Sequence, residues 1–138
     1  MYDINILIKD FDIERYFRIR INKILKNEKV KKDQISIVII DDVLMKKLNT
    51  KYRKNRKTTD VLSFVSSDTK ESFPKENYLG EIFISYEQAK RQSKDIKTEM
   101  IHLFVHGYLH LRGYTHDDNR QFALMNRAQN RILNKIYN

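Results

Sequence analysis

Apolar residues alternate at the start of the chain, with Ile4, Ile6 and Ile8 set between polar or larger neighbours, and that period of two predicts a β-strand. The period then lengthens: Ile13, Phe17, Ile21, Ile24 and Leu25 share one face at helical spacing, with Asp12 placed to cap the helix. Residues 34–40, QISIVII, are β-branched and almost continuously apolar, the pattern of a strand covered on both faces. Asp41 and Asp42 are capping candidates for a second helix whose apolar positions are Val43, Leu44, Leu48 and Tyr52. A third strand is predicted at residues 61–65 and a fourth at residues 80–85, GEIFIS, separated by a polar loop over residues 66–77 that contains Pro74. From Tyr86 the pattern is helical: a short helix to about Ser93, a second from about Thr98 to Leu111, and a third from about Asn119 to Ile136. The order β-α-β-α-β-β-α-α-α predicts an α/β fold, a small mixed four-stranded sheet packed with about five helices.

Composition narrows the class. At 138 residues with 41% hydrophobic content, the chain is long enough for one core and short for two, so residues 1–138 are expected to form a single domain. With 3 glycines and 1 proline it reads as packed elements and not as a linker-rich chain. The first residues carry Asp3 and Asp10 and alternate, unlike a signal peptide, and no apolar run is long enough to span a membrane; the expected location is cytoplasmic. There is no cysteine, so a metal site must use imidazole and carboxylate. The formal charge of +9 points to a nucleic-acid partner, with a basic surface that merely keeps the protein soluble as the alternative.

All 4 histidines fall between His102 and His116. His106 and His110 are four apart and share a helix face, separated by about 6 Å of rise. Gly113 can end that helix in a left-handed conformation and let the chain return His116 to the same point. The H-x3-H-x5-H spacing is the zincin-like metal-helix pattern of the metzincin peptidases, except that Gly107 stands where those enzymes carry a general-base glutamate. That disfavours peptide hydrolysis. A glycine within a helix costs roughly 1 kcal/mol against alanine, so something must come close at Gly107, either a substrate or a packed neighbour. A lone buried histidine is usually a hydrogen-bonded core residue, but one divalent ion satisfies His106, His110 and His116 together. His102 would be a fourth ligand and would close the site to chemistry, so it is read, with Glu99, as supporting or packing beside the ligands. Three neutral imidazoles leave such an ion its full charge, which suits hydrolysis of an anionic phosphodiester.

The segment KYRKNRK gathers Lys51, Arg53, Lys54, Arg56 and Lys57 around Tyr52, and is either an RNA-binding surface or a solvated charged face. An arginine there can grip phosphate in two places and stabilise charge as phosphorus reacts. Tyr52 is read as a core residue in preference to a stacking platform.

HGYLHLRGYTH, residues 106–116, resembles the hallmark H-G-x-L-H-L-x-G-Y-D-H of the YbeY-type metal-dependent endoribonucleases, and LNTKYR, TDVLSF and GEIFIS resemble earlier elements of that family. The resemblance spans most of the chain. It implies a zinc or similar ion on His106, His110 and His116, a functional arginine at Arg53 acting with His106 in catalysis, and single-stranded RNA as substrate. It also implies a role in maturing small-subunit ribosomal RNA and in ribosome quality control, with the small subunit and assembly factors as partners. Thr115 departs from the family aspartate before the last histidine, Thr58 from a frequent proline and Glu81 from an aspartate, while no ligand is lost. Asp117 or Asp118 would have to take over the support of His116. The rival readings are a non-catalytic RNA-binding assembly factor with a structural metal and a metallopeptidase.

Overall fold

The computed structural model describes residues 2–66 and 78–137. The element order is β1 (Asp3–Ile6), α1 (Phe11–Asn27), β2 (Ile35–Ile40), α2 (Asp42–Arg53), β3 (Val61–Val65), β4 (Gly80–Ser85), α3 (Tyr86–Gln92), α4 (Ile96–Leu111) and α5 (Asn119–Tyr137). This is the predicted α/β order. The loop expected over residues 66–77 lies, from residue 67 onward, outside the described residues.

The sheet runs β1-β2-β4-β3, with β1, β2 and β4 parallel and β3 antiparallel at the edge. The strand period of two sorts its residues between two cores. Ile35, Ile37, Ile39, Ile82 and Ile84 join the larger core with α1, α4 and α5, and Ile40, Leu62 and Phe64 join a smaller one with Met45 of α2. Both faces of β2 are therefore covered, which is why its sequence is apolar at nearly every position. On β3 the same alternation leaves Val61 and Val65 packed against the larger core, and Ser63 between them hydrogen-bonded to α4.

Helix α1 buries the five residues its spacing predicts, Ile13, Phe17, Ile21, Ile24 and Leu25. Its cap is Asp10, not Asp12: the Asp10 carboxylate accepts from the Ile13 amide, so the helix starts earlier and leaves Phe11 almost fully exposed. Helix α2 is capped by Asp41, as expected, but is rotated from its predicted face. Met45 and Asn49 are buried while Val43 and Tyr52 are exposed. Asn49 explains the rotation, since its side-chain amide donates to the Lys57 carbonyl and must face inward to hold the turn after α2. Tyr52 leans edge-on against Phe64 instead of entering the core.

Helix α4 begins at Ile96, one turn-half earlier than its apolar run, because the Asp95 carboxylate caps it at the Thr98 amide. It is apolar nearly all round because it packs against α1, α3, α5, β3 and β4 at once. A polar clasp fixes its end: Arg112 Nε donates to the Tyr108 hydroxyl, that hydroxyl donates to Glu28 beyond α1, and Arg131 of α5 reaches Glu28 with two donors.

Candidate metal centre

His106 and His110 sit on consecutive turns of α4, and their Nε2 atoms are 3.0 Å apart. The helix then ends as glycine allows. Gly113 has φ +94°, its amide donates to the His110 carbonyl, and the Tyr114 amide donates to the Leu109 carbonyl. These paired bonds form a Schellman turn, which satisfies the last carbonyls and reverses the chain. His116 returns with its ring 5.8 Å from that of His106 and 5.2 Å from that of His110.

The three rings offer ligand atoms that all lie within 4.8 Å of one another. A tetrahedral ion with bonds of about 2.0–2.1 Å spaces its nitrogen ligands by about 3.3 Å, so the donor set fits a divalent ion of zinc's kind. The His110 Nδ1 stands 3.0 Å from the Tyr114 carbonyl. A carbonyl only accepts, so Nδ1 carries the proton and Nε2 keeps its lone pair for a metal. Burial holds both His106 and His110 below the ordinary histidine pKa, and the facing imidazoles add to the shift. Both are thereby kept in the neutral, ligating form. Asp60 opposes the shift at His106, and the hydrogen bond to the Tyr114 carbonyl, followed by Asp117, opposes it at His110.

His102 does not join the group: among the described residues, the three later histidines are the grouping that could hold one ion. His102 and Glu99 line a cavity beside His106. Asp118 is committed elsewhere, accepting from the Gln121 amide as the cap of α5, and Thr115 donates its hydroxyl to the Gln121 side chain.

Gly107 has a structural cause. A Cβ at this position would lie 3.0 Å from Ile82 Cγ2, 3.0 Å from Ser63 Oγ and 3.3 Å from Val61 Cγ2. Of the two readings the sequence left open, close helix-to-sheet packing is the one the contacts support. The position faces the sheet, with no room for the glutamate of a peptidase.

That close approach connects the basic segment to the histidine helix. Ser63 Oγ donates to the Gly107 carbonyl over 3.3 Å, and the Ser63 carbonyl accepts from an Arg53 guanidinium nitrogen over 2.8 Å. The Arg53 guanidinium also lies over the Phe64 ring, 5.0 Å from its centre. One face and one donor of Arg53 are thus used, and its remaining donors have no partner among the described residues. Lys54 ends α2 in the left-handed region at φ 55°, and Lys51, Lys54, Arg56 and Lys57 are exposed along the turn. Arg53 is the member of this basic run that the hydrogen bonds tie to β3. Ser63 against Gly107, and Asp60 and Gln129 in the wall of the cavity beside His106, are not marked by any local spacing: the first two stand within TDVLSF and the third on α5.

Comparison with known proteins places the site in context. The family model described as Endoribonuclease YbeY matches residues 3–137. The endoribonuclease YbeY of Endomicrobium trichonymphae is 38% identical over 118 residues, covering 83% of this chain and 79% of its own. That of Phytoplasma australiense is 35% identical over 130 residues, covering 91% and 89%. The solution structure of TM1509 from Thermotoga maritima matches with a TM-score of 0.58 at 22% identity, over 98% of this chain and 91% of that one, and supports the fold alone.

Proposed function

The chain belongs to the endoribonuclease YbeY family, and from that premise we propose that residues 1–138 form one domain that cuts single-stranded RNA in the maturation of small-subunit ribosomal RNA. The observation that carries the reading is the convergence of His106, His110 and His116 within 4.8 Å on a helix tied through Ser63 to Arg53.

His106, His110 and His116 would hold the ion, which we assign as zinc; when bound it supplies Lewis-acid polarisation of a phosphate oxygen and acidifies nearby water. The protein's own part is positional. The Schellman turn at Gly113 fixes His116 in space, the Tyr114 carbonyl fixes the tautomer of His110, and the Gly107 contact fixes the distance between α4 and β3. Arg53, braced by the Ser63 carbonyl and the Phe64 ring, presents its free donors to a phosphate and stabilises the charge that grows on it in the transition state. Lys51, Lys54, Arg56 and Lys57 continue the positive surface along which the RNA backbone is held. The small ribosomal subunit and its assembly factors are the expected partners, and the cytoplasm the expected location; among the described residues no helix is long and apolar enough to cross a membrane.

The peptidase reading loses its general base at Gly107. A purely structural metal wants a closed shell of four protein ligands, whereas among the described residues three come together here. Digestion of a labelled RNA carrying a hairpin and an unpaired tail, with a peptide substrate in parallel, tests the assignment. Metal-dependent cutting of the tail alone is expected, and cutting of the peptide or of neither would contradict it.

A further inference from the structure

A cavity of about 240 Å³ lies beside the metal centre, with His106 in its wall. Glu99, His102 and Leu103 bring one stripe of α4 to it at i, i+3 and i+4, continuing to His106 itself at i+7. Asp60 and Val61 come from the start of β3, and Gln129 comes from α5. The polar groups are half-buried and their hydrogen-bonding capacity is largely unspent. The Glu99 carboxylate, the His102 ring and the Gln129 amide make no hydrogen bond to the described residues. The Asp60 carboxylate accepts from the Gln92 side-chain amide at 3.0 Å and from the Thr59 hydroxyl at 3.5 Å, and its two oxygens keep further acceptor capacity.

We propose that this cavity is a base-specificity subsite, taking an unpaired nucleobase that bears an exocyclic amino group and flanks the scissile phosphate. This rests on the endoribonuclease reading. Asp60 and Glu99 in the wall disfavour an anionic occupant, so the part of an RNA strand that enters is the neutral base, while its phosphates stay with Arg53, the lysines and the ion on the three histidines. A carboxylate only accepts; adenine, cytosine and guanine offer it an exocyclic amino group, whereas uracil offers one N3–H set between two carbonyls that the carboxylate repels, so the amino-bearing bases are favoured. Val61 and Leu103 give apolar walls to the faces of the ring. A second cation is the competing occupant, but among the described residues Asp60, Glu99 and His102 do not come close enough together to chelate one. The pocket also gives a reason for single-strand preference, because a paired base has its amino edge already engaged.

The test is digestion of a pool of unpaired RNAs randomised in sequence, with zinc supplied, followed by sequencing of the new ends from wild type, Glu99→Leu and Gln129→Leu. Wild type should cut with uracil depleted about tenfold at one position fixed relative to the cut, and Glu99→Leu should bring that ratio close to one. Because the ratio between bases is taken within one digest, a general loss of activity or folding does not move it. Cutting by wild type with equal use of all four bases, or a uracil depletion that survives in Glu99→Leu and Gln129→Leu alike, would overturn the subsite and leave the nuclease reading intact. Absence of metal-dependent cutting by wild type would overturn both.

Discussion

The hydroxyl of Ser63 donates to the backbone carbonyl of Gly107 across the seam between β3 and α4, at 3.3 Å. Through this contact the basic segment and the histidine helix are held at one spacing, since Ser63 is also the residue whose carbonyl braces Arg53.

The seam makes a first prediction. Gly107→Ala gains about 1 kcal/mol of helix propensity but pushes Ile82 and Ser63 apart, and overpacking of this kind costs about 1–3 kcal/mol. A net loss of about 1 kcal/mol is expected in urea denaturation. Ser63→Ala alone should also cost about 1 kcal/mol through the lost hydrogen bond, and less in the Gly107→Ala background, where the added methyl has already displaced the hydroxyl. Strictly additive losses would show that the two residues are not coupled.

Acid stability offers a second. Arg91, followed by Ser85 and Thr58, donates to the Asp42 carboxylate and holds its pKa below the ordinary carboxylate value. A carboxyl depressed in the folded state stabilises the fold above its unfolded pKa, near 4, and loses that contribution as pH falls through the lower folded value. Asp42→Asn should therefore be less stable than wild type at pH 7 and converge with it as pH falls through the lowered folded value. Denaturation midpoints measured across that range check this; a constant offset at every pH would contradict it.

Much of this architecture is legible in the chain, and the failures have physical causes. The face of α1 follows from spacing alone because one side of that helix meets one core. The face of α2 does not, because Asn49 turns inward for a hydrogen bond to Lys57 that lies beyond the helix, and a polar residue drawn inward defeats an apolar count. Asp10 and Asp12 are equally good caps by type; the Asp10 carboxylate, which accepts from the Tyr86 hydroxyl as well, is the one fixed by tertiary contact. The histidine cluster was readable because its ligands share one helix and its end. The neighbouring cavity was not, because α4, β3 and α5 meet there from distant parts of the sequence.

RNA affinity should be steeply salt-dependent. With about four phosphates met by the run from Lys51 to Lys57, raising salt from ~50 to ~200 mM should weaken binding roughly 50-fold, by a slope near −0.7 per contact for single strands. Fluorescence anisotropy with a short unpaired RNA measures this, and a flat response would remove the basic run from the interface.

The central claim is that the histidines and Arg53 act as one site with separable duties, and the most direct measurement is a paired assay of metal content and RNA cleavage on wild type, His106→Ala and Arg53→Ala. Wild type should purify with about one divalent ion per chain and cut the unpaired tail of a labelled hairpin. His106→Ala should lose the ion and the cutting together. Arg53→Ala should keep the ion and lose about a hundredfold in rate, the cost of one charged transition-state contact of about 3 kcal/mol. A metal-free His106→Ala protein that cuts the tail as fast as wild type would contradict the claim and leave an RNA-binding factor in place of the enzyme.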